Sequence, residues 1–341
     1  MGREACSWQV NRERYKAARY SKIVNQETAD MAVVERPVNP CAYIRSSDLW
    51  SGREFSMSLV TTKEIMLDAQ KNGYAVGAFN VENMEFVMAV IRAAEECNSP
   101  VILQTTPGTV KFAGLDMYYS IVKAAAENAS VPVAMHLDHG DGFDRCMKAL
   151  RCGYTSVMID GSHESFEDNI ALTKSVADAA NCMGIPVEAE LGKVGGKEDD
   201  GPAVEGESPY TDPAEAKEFV ERTGCTSLAI GVGTAHGVYT EEPHIEQSVV
   251  KAIAAAVDIP LVLHGTSGVP DEQVAEAVKN GICKVNYATE LRQAYTAGVK
   301  EFMEANPSVF DPKKYAAAGI DKIVEIVKIR MNNLGSVNRA N

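Results

Sequence analysis

The sequence predicts an α/β fold of the TIM-barrel type, a (β/α)8 barrel. Eight short apolar runs rich in β-branched residues alternate with segments whose apolar residues recur three and four positions apart. Several of these runs follow a glycine or a proline, as strands that come after a helix do. Eight strand–helix units within the 285 residues that follow position 56 favour a closed barrel over an open sheet.

The predicted strands are short, and helical segments such as "NMEFVMAVIRAAEECN" and "EQVAEAVKNG" separate them. Length distinguishes the two kinds of segment, because buried strands run for four to eight residues and helices for longer. In chain order the predicted strands cover residues 74–80, 100–105, 132–138, 155–160, 186–191, 227–233, 260–265 and 283–289.

Residues 1–56 differ from the rest, since they are rich in arginine and lysine and lack a clean period. They contain no apolar core of a secretory signal, and their acidic residues argue against an organelle transit peptide. We therefore interpret 1–56 as a poorly ordered extension or an artefact of the start site. Met57 would be a natural start, which gives residues 57–341 to the barrel.

Composition restricts the function. The chain has 33 basic and 47 acidic residues and a net charge of -14, which disfavours nucleic acid or an anionic membrane as a partner. A pocket for an anionic phosphate remains compatible with this charge, because backbone amides and a metal act locally. No apolar run reaches the roughly 18 residues of a membrane helix. The eight scattered cysteines form no CxxC pair, which predicts free thiols in the cytoplasm.

Polar residues cluster where the predicted strands end. Barrel enzymes build their sites at this carboxyl-terminal face. The convergence is the main argument for an active site. The residues concerned are Asp138 and His139 on strand three, Asp160 on strand four, Glu188 and Glu190 on strand five, His236 after strand six, His264 on strand seven and Asn286 on strand eight.

His139, His236 and His264 come from separate strands and suit a catalytic zinc, which takes three protein ligands and keeps one position open. A single such histidine is more often a buried structural residue, but three at strand ends favour the metal. Strict alternation would place Asp138 and His139 on opposite faces, although a strand that turns into its loop need not alternate. His136 is interpreted as scaffold.

Two further segments indicate a phosphorylated substrate. "HGTSGVP" at 264–270 and "NYATE" at 286–290 place small and hydroxyl residues before helices, where backbone amides can approach an anion. The long glycine-rich connection at 192–210 is either a solvated charged loop or a functional lid, and Glu198 is the best-placed acid on it.

Six motifs carry a family resemblance over residues 57 to near the C-terminus. "HLDHG", "SVMIDGSH", "VEAELGKVGGKEDD", "GTAHG", "LVLHGTSG" and "NYATEL", in this order and spacing, resemble class II ketose-bisphosphate aldolases. "GTAHG" and "GICKVNYATEL" are more similar to the tagatose-bisphosphate branch than to the fructose-bisphosphate branch.

The resemblance implies a complete site. His139, His236 and His264 would hold Zn²⁺, with Asp160 and Glu190 as an alternative metal position. Asp138 would be the general acid/base that handles the C4 hydroxyl proton, and Glu198 would supply the proton that releases dihydroxyacetone phosphate. The positions that match the dihydroxyacetone-phosphate site are Gly237, Gly265, Thr266, Ser267, Asn286, Tyr287, Ala288 and Thr289.

The resemblance also implies reversible cleavage of tagatose 1,6-bisphosphate, or of fructose 1,6-bisphosphate as the alternative. Relatives are commonly dimers or tetramers and often use Na⁺ or K⁺, so a homo-oligomer and a monovalent cation are expected here. A Schiff-base lysine is the metal-free solution, but strand six has no lysine, and Lys284 on strand eight is expected to be structural or turned outward.

Two other functions are weighed against aldol cleavage. "HLDH" is similar to the HxHxDH signature of metal hydrolases, but Ala134 stands where the first ligand would be. A non-catalytic phosphosugar-binding subunit would be expected to lack the ligand residues, and this chain has all of them.

Overall fold

The computed structural model describes residues 59–196, 210–239 and 242–340. The predicted boundary at Met57 and the interpretation of residues 1–56 lie outside the described residues.

Eight parallel strands close into a barrel, which confirms the predicted fold. Each strand pairs with its neighbours in chain order, and the last pairs with the first through Lys284 opposite Val76 and Tyr287 opposite Phe79. The strands are β1 Val76–Asn80, β2 Val101–Thr105, β3 Val133–Gly140, β4 Ser156–Ile159, β5 Val187–Leu191, β6 Ser227–Ile230, β7 Leu261–Leu263 and β8 Ile282–Tyr287.

Helices surround the barrel, and the first of them closes its amino-terminal end. Their ends follow ordinary capping chemistry: Thr61 and Glu64 form a reciprocal capping box at the first helix, and Gly73 ends it in the left-handed conformation. None of the helices in the described ranges is long and apolar enough to cross a membrane. They are α1 Thr62–Asn72, α2 Met84–Cys97, α3 Pro107–Ala113, α4 Leu115–Ala126, α5 Phe143–Cys152, α6 Phe166–Asn181, α7 Pro213–Thr223, α8 Gln247–Ala256, α9 Asp271–Lys279, α10 Thr289–Ala305 and α11 Pro312–Asn333.

Successive strand residues point alternately outward and inward, as the pleat requires. Outward residues such as Leu103, Leu228 and Val285 belong to the large apolar cluster between the barrel and its helices. Inward residues such as Val76 and Val262 form a separate, smaller cluster. Except at Ile282 and Cys283, where the register of β7 and β8 shifts, the parity of a residue number along a strand decides which cluster the side chain joins.

The barrel interior changes from apolar to polar along its axis. At the amino-terminal end, Ile65, Met66 and Ala69 of α1 pack on the inner apolar cluster and close the barrel. The next level is polar and contains His136, Glu188 and Lys284, each at most 2 % exposed. The carboxyl-terminal level opens to solvent and carries the predicted site.

Two short pairings lie outside the regular barrel. Leu59–Val60 lies beside the start of β3. Gly195–Gly196, at the beginning of the connection after β5, pairs with Ala235–His236 in a two-stranded sheet. This small sheet places His236 beside the base of the connection that continues toward Glu198.

Within the described ranges, the cysteines are free thiols, as expected. They are Cys97, Cys146, Cys152, Cys182, Cys225 and Cys283.

Candidate active site

A local change of backbone conformation brings both Asp138 and His139 to the mouth of the barrel. Strand β3 shifts register between Leu137 and Gly140, and His139 has a φ of 46°. This left-handed conformation is uncommon outside glycine but less so for histidine. It turns His139 back toward the pocket that Asp138 already faces, so that both line it. The strict alternation of a strand therefore does not hold at this point.

Gly140 makes that turn sterically feasible. A Cβ at this position would lie 2.4 Å from the backbone oxygen of Met158 and 2.9 Å from Cys146 Sγ. Any larger residue would push β3 away from β4 and displace His139.

The three histidines predicted as metal ligands come together. Ligand nitrogens of His139, His236 and His264 all lie within 4.8 Å of one another. His264 Nδ1 is 3.0 Å from His139 Nε2, and the His139 and His236 rings meet edge to face with centroids 5.0 Å apart. Three imidazoles that converge in this way form a donor set for one divalent ion.

Carboxylates contact the far nitrogens of two of these rings. Asp160 Oδ2 is 2.8 Å from His139 Nδ1, and Glu188 Oε1 is 2.9 Å from His264 Nε2. A carboxylate on one ring nitrogen fixes the tautomer and directs the lone pair of the other nitrogen at the metal. The arrangement therefore fits a metal at the point where the three rings meet.

The electrostatics of the metal-free site are asymmetric. Burial lowers the pKa of His264 and of His236, and the neighbouring His139 lowers both pKa values further. Burial acts in the same direction on His139, but the charges of Asp138 and Asp160 outweigh it and raise the pKa of that imidazole well above its usual value. A divalent ion bound by these imidazoles would compete with protons for their nitrogens, so metal binding should depend on pH.

A second donor set lies deeper, where Asp160 and Glu190 join His139 within the same 4.8 Å limit. Burial and the charge of Asp160 raise the pKa of Glu190 to about 8, so this carboxyl is protonated at neutral pH without a cation. Glu190 Oε2 has no hydrogen-bond partner among the described residues. These two acids lie where the alternative metal position was predicted.

Three side-chain amides hold Asp138. Asn286 Nδ2 donates to Oδ1 at 3.1 Å, while Gln104 Nε2 and Asn80 Nδ2 donate to Oδ2 at 3.0 and 3.3 Å. Donors to both oxygens fix the orientation of the carboxylate. Asp138 is thus buried, oriented and adjacent to the three histidines, as a general base requires.

Sequence reasoning overlooked Asn80 and Gln104. Both are polar residues at the carboxyl ends of otherwise apolar strands, "VGAFN" and "VILQT". The same criterion, a polar residue at the carboxyl end of a barrel strand, would have selected these two.

Small residues from the loops after β6, β7 and β8 also line the pocket, next to the amino terminus of α10. Helix α10 begins without a side-chain cap, which leaves its first amide groups available to an anion, and its first residue Thr289 lines the pocket. The residues that line the pocket include most of the predicted phosphate positions: Gly237, Gly265, Thr266, Ser267, Asn286, Ala288 and Thr289.

Other predicted residues lie elsewhere. The side chain of Tyr287 points outward, stacks on Phe79 with centroids 5.7 Å apart and contacts the Arg330 guanidinium. Lys284 does not turn outward: it is buried in the barrel and paired with Glu188.

His136 is buried below the site and contacts Ser156 Oγ at 2.8 Å, a scaffold position. Glu198 lies outside the described residues.

Comparison with known proteins identifies the family. The family model for class II fructose-bisphosphate aldolases matches residues 60–339. The chain belongs to this family. It is an aldolase, a lyase that cleaves by the aldol reaction. Class II aldolases are generally zinc-dependent, and the two donor sets described above fit such an ion.

Solved structures agree with this assignment. The YdjI aldolase from Escherichia coli K12 is 39 % identical, with a TM-score of 0.75, over 83 % of this chain and 100 % of that chain. A fructose-bisphosphate aldolase from Campylobacter jejuni is 24 % identical, with a TM-score of 0.71, over 83 % of this chain and 97 % of its own, which supports the fold.

A tyrosine links the two loops of this aldolase that carry His236 and Gly265. Tyr239 Oη accepts the Ala235 N–H and donates to the Gly265 carbonyl, both at 2.7 Å. Gly265 is left-handed, with φ 65°, and a Cβ there would lie 2.7 Å from the Ala235 backbone. The two loops are therefore in tight contact, and the Tyr239 hydroxyl bridges their backbones.

We expect Tyr239→Phe to lower the free energy of unfolding by about 1–3 kcal/mol, because it leaves two backbone groups without their partner. It should also raise KM, since Gly237 and Gly265 lose their fixed positions. Urea unfolding and steady-state kinetics measure the two effects. Tyr210→Phe, at a tyrosine that is 49 % exposed, is the control. Equal unfolding free energies for both variants would contradict this assignment.

Proposed function

We propose that this aldolase cleaves a ketose 1,6-bisphosphate reversibly to dihydroxyacetone phosphate and glyceraldehyde 3-phosphate, with Zn²⁺ held by His139, His236 and His264. One observation supports the proposal most directly. His139 and His236 share a single pocket with the oriented Asp138 carboxylate and with loops suited to a phosphate, and the buried His264 meets His139 directly behind its lining.

The metal and the pocket residues would have separate roles in the reaction. When bound, Zn²⁺ would supply Lewis acidity toward the substrate carbonyl. Asp138 takes the proton of the C4 hydroxyl as the C3–C4 bond breaks and returns it in condensation. Asn286 holds Asp138 Oδ1, and its own Oδ1 is buried without a hydrogen-bond partner in the described part of the chain.

The phosphate of the dihydroxyacetone half is assigned to the part of the pocket lined by the loops after β6, β7 and β8. Backbone amides of Gly265, Thr266, Ser267 and Thr289 can bind it, helped by the amino terminus of α10. A monovalent cation, Na⁺ or K⁺, would offset the remaining negative charge there. Glu198 is proposed as the second acid, which supplies the proton that releases dihydroxyacetone phosphate.

Tagatose 1,6-bisphosphate is the favoured substrate, and fructose 1,6-bisphosphate is the alternative that the same site would cleave. The preference rests on the motifs "GTAHG" and "GICKVNYATEL". A cytoplasmic homo-oligomer with a small phosphorylated sugar as its partner, and without nucleic acid or membrane, completes the proposal.

The decisive experiment compares kcat/KM for the two bisphosphates in the zinc-loaded enzyme. We expect tagatose 1,6-bisphosphate to be preferred. A tenfold preference for fructose 1,6-bisphosphate, about 1.4 kcal/mol in transition-state free energy, would overturn the substrate assignment and leave the mechanism intact. Ester hydrolysis without aldol cleavage of either sugar would overturn both.

A further inference from the structure

Lys284 and Glu188 form an ion pair inside the barrel that the proposed reaction does not use. Lys284 Nζ lies 3.1 Å from Glu188 Oε1 and 2.9 Å from Oε2. The two side chains are at most 2 % exposed, and neither lines the pocket. A buried pair of this kind seldom stabilises a fold more than apolar residues of the same size would. Its presence therefore calls for a role other than stability.

Glu188 connects the pair to a metal ligand. Its Oε1 is 2.9 Å from His264 Nε2, so the carboxylate accepts the one N–H of a neutral imidazole. The lone pair then remains on His264 Nδ1, which is the nitrogen that faces His139 Nε2 at 3.0 Å. The hydrogen bond to Glu188 thereby selects the tautomer that can bind a metal.

Lys284 in turn fixes the carboxylate. Its ammonium group contacts both oxygens and prevents the carboxylate from rotating away from His264. The other donor nearby, His136 Nε2, is 3.6 Å from Oε2 and makes no hydrogen bond to any described residue. Lys284 is thus the group that keeps the Glu188 carboxylate oriented toward His264 Nε2.

We propose that Lys284 is a positioning residue for the metal centre: through Glu188 it sets the orientation and tautomer of His264. This inference rests on the proposed metal site. It assigns to a strand lysine a role in metal binding that involves no contact with metal or substrate.

Co²⁺ is the probe for the test, because its visible absorption reports the number and geometry of its ligands. The full-length metal-free protein is titrated with Co²⁺ against a competing chelator, and its thermal unfolding is measured separately. The variants are Lys284→Met, and Lys284→Met combined with Glu188→Gln. The double variant removes both charges at nearly constant volume, so it avoids the unpaired buried carboxylate that would destabilise the single variant.

Thr62→Val is the matched control. Thr62 lies in the same polar interior, where its hydroxyl donates to Ser156 Oγ at 2.8 Å, but it does not contact Glu188. The substitution therefore loosens the interior without touching the pair.

We expect the double variant to fold as stably as the wild type, yet to bind Co²⁺ about 10–100-fold more weakly and with an altered spectrum. The single variant should lose at least as much affinity, and Thr62→Val should bind as the wild type does. Wild-type affinity and spectrum in the double variant would overturn the role of Lys284 while leaving the metal site in place. Failure of the wild-type protein to bind Co²⁺ would overturn the metal site itself, and this inference with it.

Discussion

Asp138→Asn is expected to lower kcat for aldol cleavage by about 10²–10⁴-fold, the range that a positioned general acid/base contributes. The amide is nearly the same size as the carboxylate but cannot take the C4 hydroxyl proton. Asn286, Gln104 and Asn80 now donate to the carboxylate oxygens, and one amide oxygen would keep part of that network. The loss should therefore fall on kcat rather than on folding or metal binding.

Asp141→Asn is the matched control for this prediction. Asp141 lies three residues along the chain, is 55 % exposed and pairs with Arg145 outside the pocket. Steady-state kinetics on both zinc-loaded variants, with zinc content and melting temperature measured in parallel, would separate catalysis from structure. A kcat for Asp138→Asn within tenfold of that of Asp141→Asn would contradict the assigned role.

Alternation along the strands explains why so much of the site could be predicted from the sequence. Asp138, His264 and Asn286 stand at the carboxyl ends of strands with inward parity, and the barrel brings such positions together whatever their separation in the chain. Asn80 and Gln104 obey the same rule and could have been found by it. The apolar residues between these positions fix which face is outward.

His139 was selected by its position at a strand end, but strand alternation alone would have excluded it, because its parity is wrong for the interior. Only the register shift in β3 and a φ of 46° turn its ring into the pocket. Such a conformation depends on the close approach of Gly140 to Met158, a tertiary contact that no local pattern encodes. Its occurrence at a candidate active site fits the tendency of strained backbone to gather where function needs it.

The pair Glu188–Lys284 was unpredictable for a different reason. The strand-end rule selected Glu188 but not Lys284, and it gave no indication that the two residues pair below the level of the strand ends. They are 96 positions apart in the chain, and opposite charges at such a distance give no sequence signal of contact. The closed barrel, rather than any motif, makes them neighbours.

Removal of the metal is expected to abolish aldol cleavage, and added Zn²⁺ should restore it. A bound metal contributes several kcal/mol of transition-state stabilisation, and each 1.4 kcal/mol is tenfold in rate, so the loss should be at least about 10³-fold. His264→Ala should reproduce that loss, because it removes one of the three converging imidazoles. Glu188 keeps Lys284 as its partner in this variant, so the barrel interior should still fold.

The measurement follows activity and bound zinc together through chelation, dialysis and titration with Zn²⁺. His163→Ala is the control, because His163 is exposed and lies outside the pocket. The chelated wild-type protein should recover with one equivalent of zinc, whereas His264→Ala should stay inactive at that concentration. Full activity in a zinc-free His264→Ala protein would eliminate the metal mechanism. It would also require a covalent alternative, for which Lys284, held against Glu188 and away from the pocket, is poorly placed.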